Sequence, residues 1–309
     1  MFLQIVSILY KVMPFLGLCI IISCSTEQDR MSDEEYFQTI NEWHKQRIES
    51  LQEEDSWLSL AGLYRIEKGE HAVGADSTND IILPDRVAPY IGTIIRKEDS
   101  LTFFADPEAS VSSEGDTISE IDLQVQGEQA PTKLRHNDFI WYIIERRGDY
   151  YLRLKDTKHP NFSTFDGIDR FPVDRKWNIK ATFERFESPR TVTIPDILGE
   201  SYQDSLYGTL HFTINDQEYQ LAPLGHPDND EEFFIILGDK TNGKSTYDGG
   251  RYLYINTPNK NSVTSIDFNK AYNPPCVFTD YATCPLPPLE NQLSVAITAG
   301  EKMYENSIE

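Results

Sequence analysis

Positive charge is scarce in this chain. Its 309 residues carry 28 lysines and arginines against 50 aspartates and glutamates, a formal net charge of −22. A surface of that sign repels phosphate backbones, which argues against general nucleic-acid binding. It suits a soluble, self-repelling protein. Long apolar runs are also missing. The one candidate, Val12 to Ile22, is too short and too early to span a bilayer. Familiar catalytic signatures are absent as well. There is no GxSxG elbow, no HExxH, no GxGxxG after a strand and no CxxC. With 50 carboxylates, no glycosidase-type pair can be chosen without distances. No cofactor and no metal is implied.

Cysteine is scarce too, with four residues: Cys19, Cys24, Cys276 and Cys284. The first two sit in the N-terminal stretch MFLQIVSILYKVMPFLGLCIIISC. One basic residue, Lys11, precedes the apolar run, and a small residue follows it, which is the layout of an export signal. Ile21-Ile22-Ser23-Cys24 resembles the bacterial lipobox, so residues 1–23 read as a lipoprotein signal peptide and Cys24 as the lipidated first residue. Such a protein lives in the bacterial cell envelope, on the outer membrane or a periplasmic face. More than one acyl chain would hold it there. Its membrane partner is then the bilayer itself, and Cys276 and Cys284 are the remaining thiols, in a compartment that permits disulfides.

What is present is β-rich. At 39% hydrophobic and 12% aromatic residues, the composition is globular, and the length suffices for two domains. Residues 24–56 read as a tether and one amphipathic helix. Tyr36, Ile40, Trp43, Ile48 and Leu51 lie near one face, and Ser32-x-x-Glu35 forms a capping box. From Trp57 onward, short β-branched and aromatic runs alternate with turn residues. Trp141 to Leu154 predicts a hairpin turning at Arg147-Gly148-Asp149, and Thr209 to Leu224 another turning at Asn215-Asp216. The fold class expected is mainly β: an N-terminal helix, a β-sandwich over 57–158, and a second β-rich barrel or sandwich over 159–309. Trp57 and Trp141 are expected in the core, and His71 and His136 on the surface or in turns.

Three constellations are candidates for function. The loop AYNPPCVFTDYATCPLPP, Ala271 to Pro288, holds both cysteines. Pro274-Pro275 and Pro285, Pro287 and Pro288 stiffen its backbone around each sulfur. A disulfide there would contribute ~2–4 kcal/mol. A reactive thiolate needs a base or a cationic neighbour, for which His211, His226 and Arg251 are candidates. A zinc site needs two further ligands. The second constellation is the Gly-rich loop Leu237 to Arg251, with Asp239, Thr241, Thr246 and Tyr247. It reads either as a flexible hairpin connection or as a binding rim with Arg251 as anion clamp. The third, Asp267, Asn269, Tyr272 and Asn273, suits a preorganised site and a buried hydrogen-bond network equally well.

Two family resemblances follow. Gly62 to Lys97, with Gly74, Asn79-Asp80-Ile81 and Leu83, resembles the opening of a forkhead-associated domain, and Gly115-Asp116-Thr117 and His136 to Ile140 match its later turns. The arginine and Ser-x-x-His of that family's phosphothreonine pocket are replaced here by Ala75 and by Ala88-Pro89-Tyr90-Ile91. The resemblance thus implies a degenerate sandwich that does not read phosphothreonine. Further on, Lys155-Asp156, Phe171-Pro172-Val173-Asp174 with Trp177, Asp239-x-Thr241, Thr246-Tyr247-x-x-Gly250-Arg251-Tyr252, DFNKAYNPPCVFTDYATCPLPPLENQL and Ala299-Gly300-Glu301-Lys302 resemble the domain-of-unknown-function family 1684. That family implies no activity.

The function expected is a ligand-binding or interaction lipoprotein. Its partner would be a small molecule or a protein, met at Asp239, Thr241, Thr246, Tyr247, Arg251, Asn269, Tyr272 and Asn273. The alternative is a hydrolase using Cys276 or Asp267, with Cys284 as a further candidate. A base within roughly 3 Å of the sulfur or carboxylate, in a concave pocket, would mark the enzyme. A purely structural role would leave these residues buried, mutually bonded and away from any pocket.

Overall fold

A computed structural model describes residues 31–98, 100–127 and 129–304. The signal-peptide and Cys24 expectations lie outside those residues. The N-terminal helix spans Asp33–Leu51 and begins as its sequence dictates. The Ser32 hydroxyl accepts from the Glu35 backbone N–H, and the Glu35 carboxylate accepts from the Ser32 N–H. Tyr36, Ile40 and Leu51 are buried along one face.

Strands dominate the rest. Six form one antiparallel sheet, in the order Leu60–Ile66, Asp149–Asp156, Phe139–Arg146, Leu134–His136, Ser112–Ser113 and Asp116–Thr117. Five form a second sheet, in the order Ile81–Ile82, Gly69–Gly74, Gly92–Arg96, Leu101–Ala105 and Glu120–Asp122. The two enclose a common apolar layer in which Ile94, Phe103, Leu134, Trp141 and Leu152 are fully buried, so this part is a β-sandwich. Phe103 meets Trp141 edge to face at 4.9 Å.

The C-terminal part contains a four-stranded sheet ordered Gln217–Leu221, Ser201–Ile214, Asn178–Pro195 and Val263–Asp267. A two-stranded ribbon, Glu232–Leu237 with Arg251–Asn256, packs against it through Phe233, Ile235, Leu253 and Ile266. Both expected hairpins form. Arg147-Gly148 and Asn215-Asp216 carry positive φ at both central positions, the backbone a tight two-residue hairpin needs. Asp149, expected in the turn, is already paired with Arg146.

Two burial expectations change. His136 is buried, because its short strand is an inner one, paired with Phe139–Arg146 on one side and Ser112–Ser113 on the other. Trp57 is only half-buried, since it stands on the turn after the helix, above the outer face of the six-stranded sheet.

Candidate anion-binding pocket

Strand Asp149–Asp156 alternates its side chains across the sheet. Leu152 and Leu154 enter the sandwich core. Arg153 and Lys155 therefore point to the opposite face. That face is not left to solvent. The end of the helix and the turn that follows it cover it, and Arg153 and Lys155 are buried.

Lys155 fixes the cover. Its ammonium donates to the Asp55 carbonyl at 2.7 Å and the Ser56 carbonyl at 3.1 Å, and it pairs with the Asp55 carboxylate. Lys133 reaches the same carboxylate from the other side. Burial raises the Asp55 pKa, but the hydrogen bonds and charges of Lys133 and Lys155 outweigh it and hold the carboxyl below its ordinary range. Trp57 is carried over this base. Its ring stands 5.2 Å from the Arg153 guanidinium and 5.8 Å from the Lys155 ammonium.

Between these groups lies a cavity of about 410 Å³, lined by Arg47, Trp57, Lys133, Tyr142, Arg153 and Lys155 among others. Four cations meet one lining carboxylate there, Asp55, which the two lysines already share. Arg47 is also engaged, with the Glu301 carboxylate at 3.4 Å and the Asn273 carbonyl at 3.1 Å. Arg153 is not. It is 4% exposed, its Nε is buried without a partner, and it makes no hydrogen bond or ion pair with any described residue. Every other buried charged side chain among the described residues has one: Lys155 with Asp55, Asp156 with Arg86, Asp196 with Arg147, Asp239 with Arg251, and Glu301 with Arg47. An unpaired buried charge is costly, so this guanidinium calls for an anion. Two larger clefts, of about 590 and 750 Å³, lack such a group. Arg175 in the first pairs with Asp33, and Arg147 in the second pairs with Asp196 and Glu200.

The residues singled out from sequence sit elsewhere and do a different job. Arg251 is wholly buried rather than on a rim. It donates to the carbonyls of Ala299, Ile297 and Glu301 and pairs with Asp239 at 2.8 Å. The other Asp239 oxygen accepts from the backbone N–H groups of Thr241 and Ile297 and from the Thr241 hydroxyl. Thr241 and Thr246 join their hydroxyls at 2.7 Å. The Gly-rich loop is thus a closed network around an ion pair. Gly250, at φ +88°, lets the loop pass where a Cβ would lie 2.4 Å from Pro287.

The third constellation is also internally bonded. Asn269 donates to the Tyr36 hydroxyl and the Asp174 carbonyl, and Tyr36 donates to Asp267 at 2.9 Å, docking the helix. Asn273 N–H donates to Glu301 at 2.6 Å, and its side chain to the Lys302 carbonyl. Tyr272 lies under the Arg47 guanidinium at 4.8 Å. None of the eight expected ligand contacts lines the pocket or either larger cleft. Nor does a base approach the two expected nucleophiles among the described residues. Asp267 faces Tyr36 and Asn269, and Cys276 faces Cys284 and Tyr247. Cys276 and Cys284 are free thiols, with the Cys276 N–H donating to the Cys284 sulfur at 3.0 Å. No group of three or more His, Cys, Asp or Glu among the described residues is placed to hold a metal ion.

Comparison with known proteins adds a family without an activity. Residues 163–302 match the family described as protein of unknown function DUF1684. Among solved structures, the chain is similar to an uncharacterized protein from gene locus rrnAC0354 of Haloarcula marismortui, solved by solution NMR. The identity is 31%, over 45% of this chain and 78% of that one, with a TM-score of 0.38. No curated protein matches. The residues that line the basic pocket, from Arg47 to Lys155, all lie ahead of the matched segment.

Proposed function

We propose that this protein is a lipid-anchored, extracytoplasmic binding protein for a small anion, held by Arg153 in the pocket beneath Trp57. The observation that carries the reading is the buried guanidinium without a partner. A carboxylate or phosphate oxygen entering the cavity completes its donor set with charge-assisted hydrogen bonds. Lys133 and Lys155 add to the positive potential, and Trp57 and Tyr142 supply ring faces for the rest of the ligand. Anchoring rests on the Ile21-Ile22-Ser23-Cys24 motif. The N-terminal sandwich is read as forkhead-associated-like. Support for this comes from its Gly74 turn, where the Leu83 N–H returns to the Gly74 carbonyl at 2.8 Å and the Asn79 amide bonds the Pro89 carbonyl at 2.7 Å. Ala75, the position of the missing phosphothreonine arginine, stands at that turn, so the anion site of this protein lies on a different face.

The test is calorimetric titration of detergent-solubilised full-length protein with inorganic phosphate, acetate and citrate. Binding should weaken with added salt. Arg153→Gln should weaken it at least tenfold, since a hydrogen bond to a charged group contributes ~1.5–3 kcal/mol and ~1.4 kcal/mol is tenfold. Equal affinity in the wild type and Arg153→Gln, or no binding of any of the three, sinks the reading. For the anchor, Cys24→Ser should move the protein from the membrane to the soluble fraction.

A further inference from the structure

The two sulfurs of the proline-rich loop are neighbours held from opposite sides. Cys284 is carried by an extended segment laid against strand Asn178–Pro195. The Ile197 N–H donates to the Cys284 carbonyl at 3.0 Å, and the Leu286 N–H to the Pro195 carbonyl at 2.7 Å. Cys276 is carried by a short turn, Pro275–Val277, that is tied elsewhere. The Asn161 side chain holds the Phe278 carbonyl at 2.9 Å, and Asn273 holds Glu301. The Cys276 N–H donates to the Cys284 sulfur at 3.0 Å, and both side chains belong to one apolar cluster. Exposure divides the pair: Cys276 is half-buried, and Cys284 is 3% exposed.

We propose that Cys276 and Cys284 are a thiol–disulfide exchange site, in which Cys276 attacks a low-molecular-weight disulfide and Cys284 resolves the adduct. The Cys276 thiolate attacks one sulfur of the disulfide. The S–S bond breaks, one thiol leaves, and a mixed disulfide remains on Cys276. The Cys284 thiol then loses its proton to the departing small-molecule thiolate and attacks the Cys276 sulfur. The Cys276–Cys284 bond forms, and the second thiol leaves. Two electrons and two protons pass from the pair to the small disulfide, giving two small thiols.

The surroundings favour this division of roles. The hydrogen bonds from Cys284 and then from Tyr247 lower the Cys276 pKa, against the opposing effects of burial and of nearby Asp248. Burial pushes the Cys284 thiol up. The attacking thiol must be the one with thiolate character and access. Neither group needs a histidine, and the Cys276 backbone already meets the Cys284 sulfur at 3.0 Å.

The experiment uses reduced full-length protein treated with oxidised glutathione, quenched by alkylation and read by intact mass and peptide mapping, so that Cys19 and Cys24 do not enter the count. In the wild type, Cys276 and Cys284 should lose their free thiols together, with no retained glutathione. Early time points should show the adduct on Cys276 alone. Cys284→Ser should trap one glutathione on Cys276. Cys276→Ser should leave Cys284 at least tenfold slower to react. Tyr247→Phe should move the pH midpoint of Cys276 alkylation upward. An early adduct on Cys284, or a stable adduct on Cys276 in the wild type, overturns the proposal. So does inertness of both thiols until urea is added. The wild-type time course decides the matter even if a variant fails to fold.

Discussion

The Asp239–Arg251 pair offers the sharpest test of the claim that the Gly-rich loop is a structural network. Both side chains are fully withdrawn from water, and they meet at 2.8 Å. Asp239→Asn keeps the shape but removes the counter-charge and presents the guanidinium with an amide. Breaking a buried pair from one side leaves an uncompensated charge, which costs ~3–5 kcal/mol. Against a typical total of ~5–15 kcal/mol, that is a large share. At ~2–4 °C per kcal/mol for a chain part of this size, the melting temperature should fall by roughly 6 °C or more. Arg251→Met should cost a similar amount, because the carbonyls of Ala299, Ile297 and Glu301 lose their donors as well. The double variant should lose clearly less than the sum of the two. The assay is urea unfolding followed by tryptophan fluorescence, with all four proteins compared. A loss below ~1 kcal/mol for Asp239→Asn, or strict additivity in the cycle, would falsify the network reading and return Arg251 to the role of an available ligand clamp.

Other expectations follow from single contacts. Gly250→Ala should destabilise the loop, because the position has φ +88° and a Cβ would meet Pro287 at 2.4 Å and the Leu237 carbonyl at 2.7 Å; a thermal melt that does not shift would contradict this. Tyr36→Phe should cost ~1–3 kcal/mol, since the buried Asn269 amide loses an acceptor and Asp267 a donor, and amide exchange along the helix should rise with it. Stability should also fall with acid near neutrality. Burial, then the nearby Arg170, holds the His44 pKa below its ordinary 6.5 despite its bond to the Ile168 carbonyl. Burial lowers His159 in the same direction. The unfolded chain therefore takes up protons first. The contribution is complete above pH 6.5 and is lost as pH drops through the folded values. His44→Gln should flatten that part of the curve, and an unchanged curve would remove His44 as its source.

Local chemistry made much of the fold readable. Ser32-x-x-Glu35 set the helix start because both halves of the capping box lie within one turn. Asn215-Asp216 and Arg147-Gly148 set the hairpins because only a few residue types accept positive φ at two successive positions. The cysteine loop stood out because prolines restrict backbone without help from the rest of the chain. The candidate site was less accessible. Arg251, Asp239 and Asn273 have the residue types of a binding rim, and the same types serve a buried network. Polar groups far apart in the chain, such as the Arg251 guanidinium and the Ala299 carbonyl 48 residues on, had to be brought together before the two could be told apart.

Arg153 shows the opposite case. In DYYLRLKD, period-2 alternation determines that Arg153 and Lys155 share the face away from Leu152 and Leu154. By sequence alone, a charged face of that kind is a solvated one. Only the tertiary structure closes it, by placing the helix end, Asp55 and Trp57 over the strand about 100 residues further along the chain. Alternation is a property of neighbouring backbone units, so the sequence determined which way Arg153 points. Burial depends on which distant segments arrive and which counter-charges they bring, so only the assembled chain decided that Lys155 has a partner and Arg153 does not.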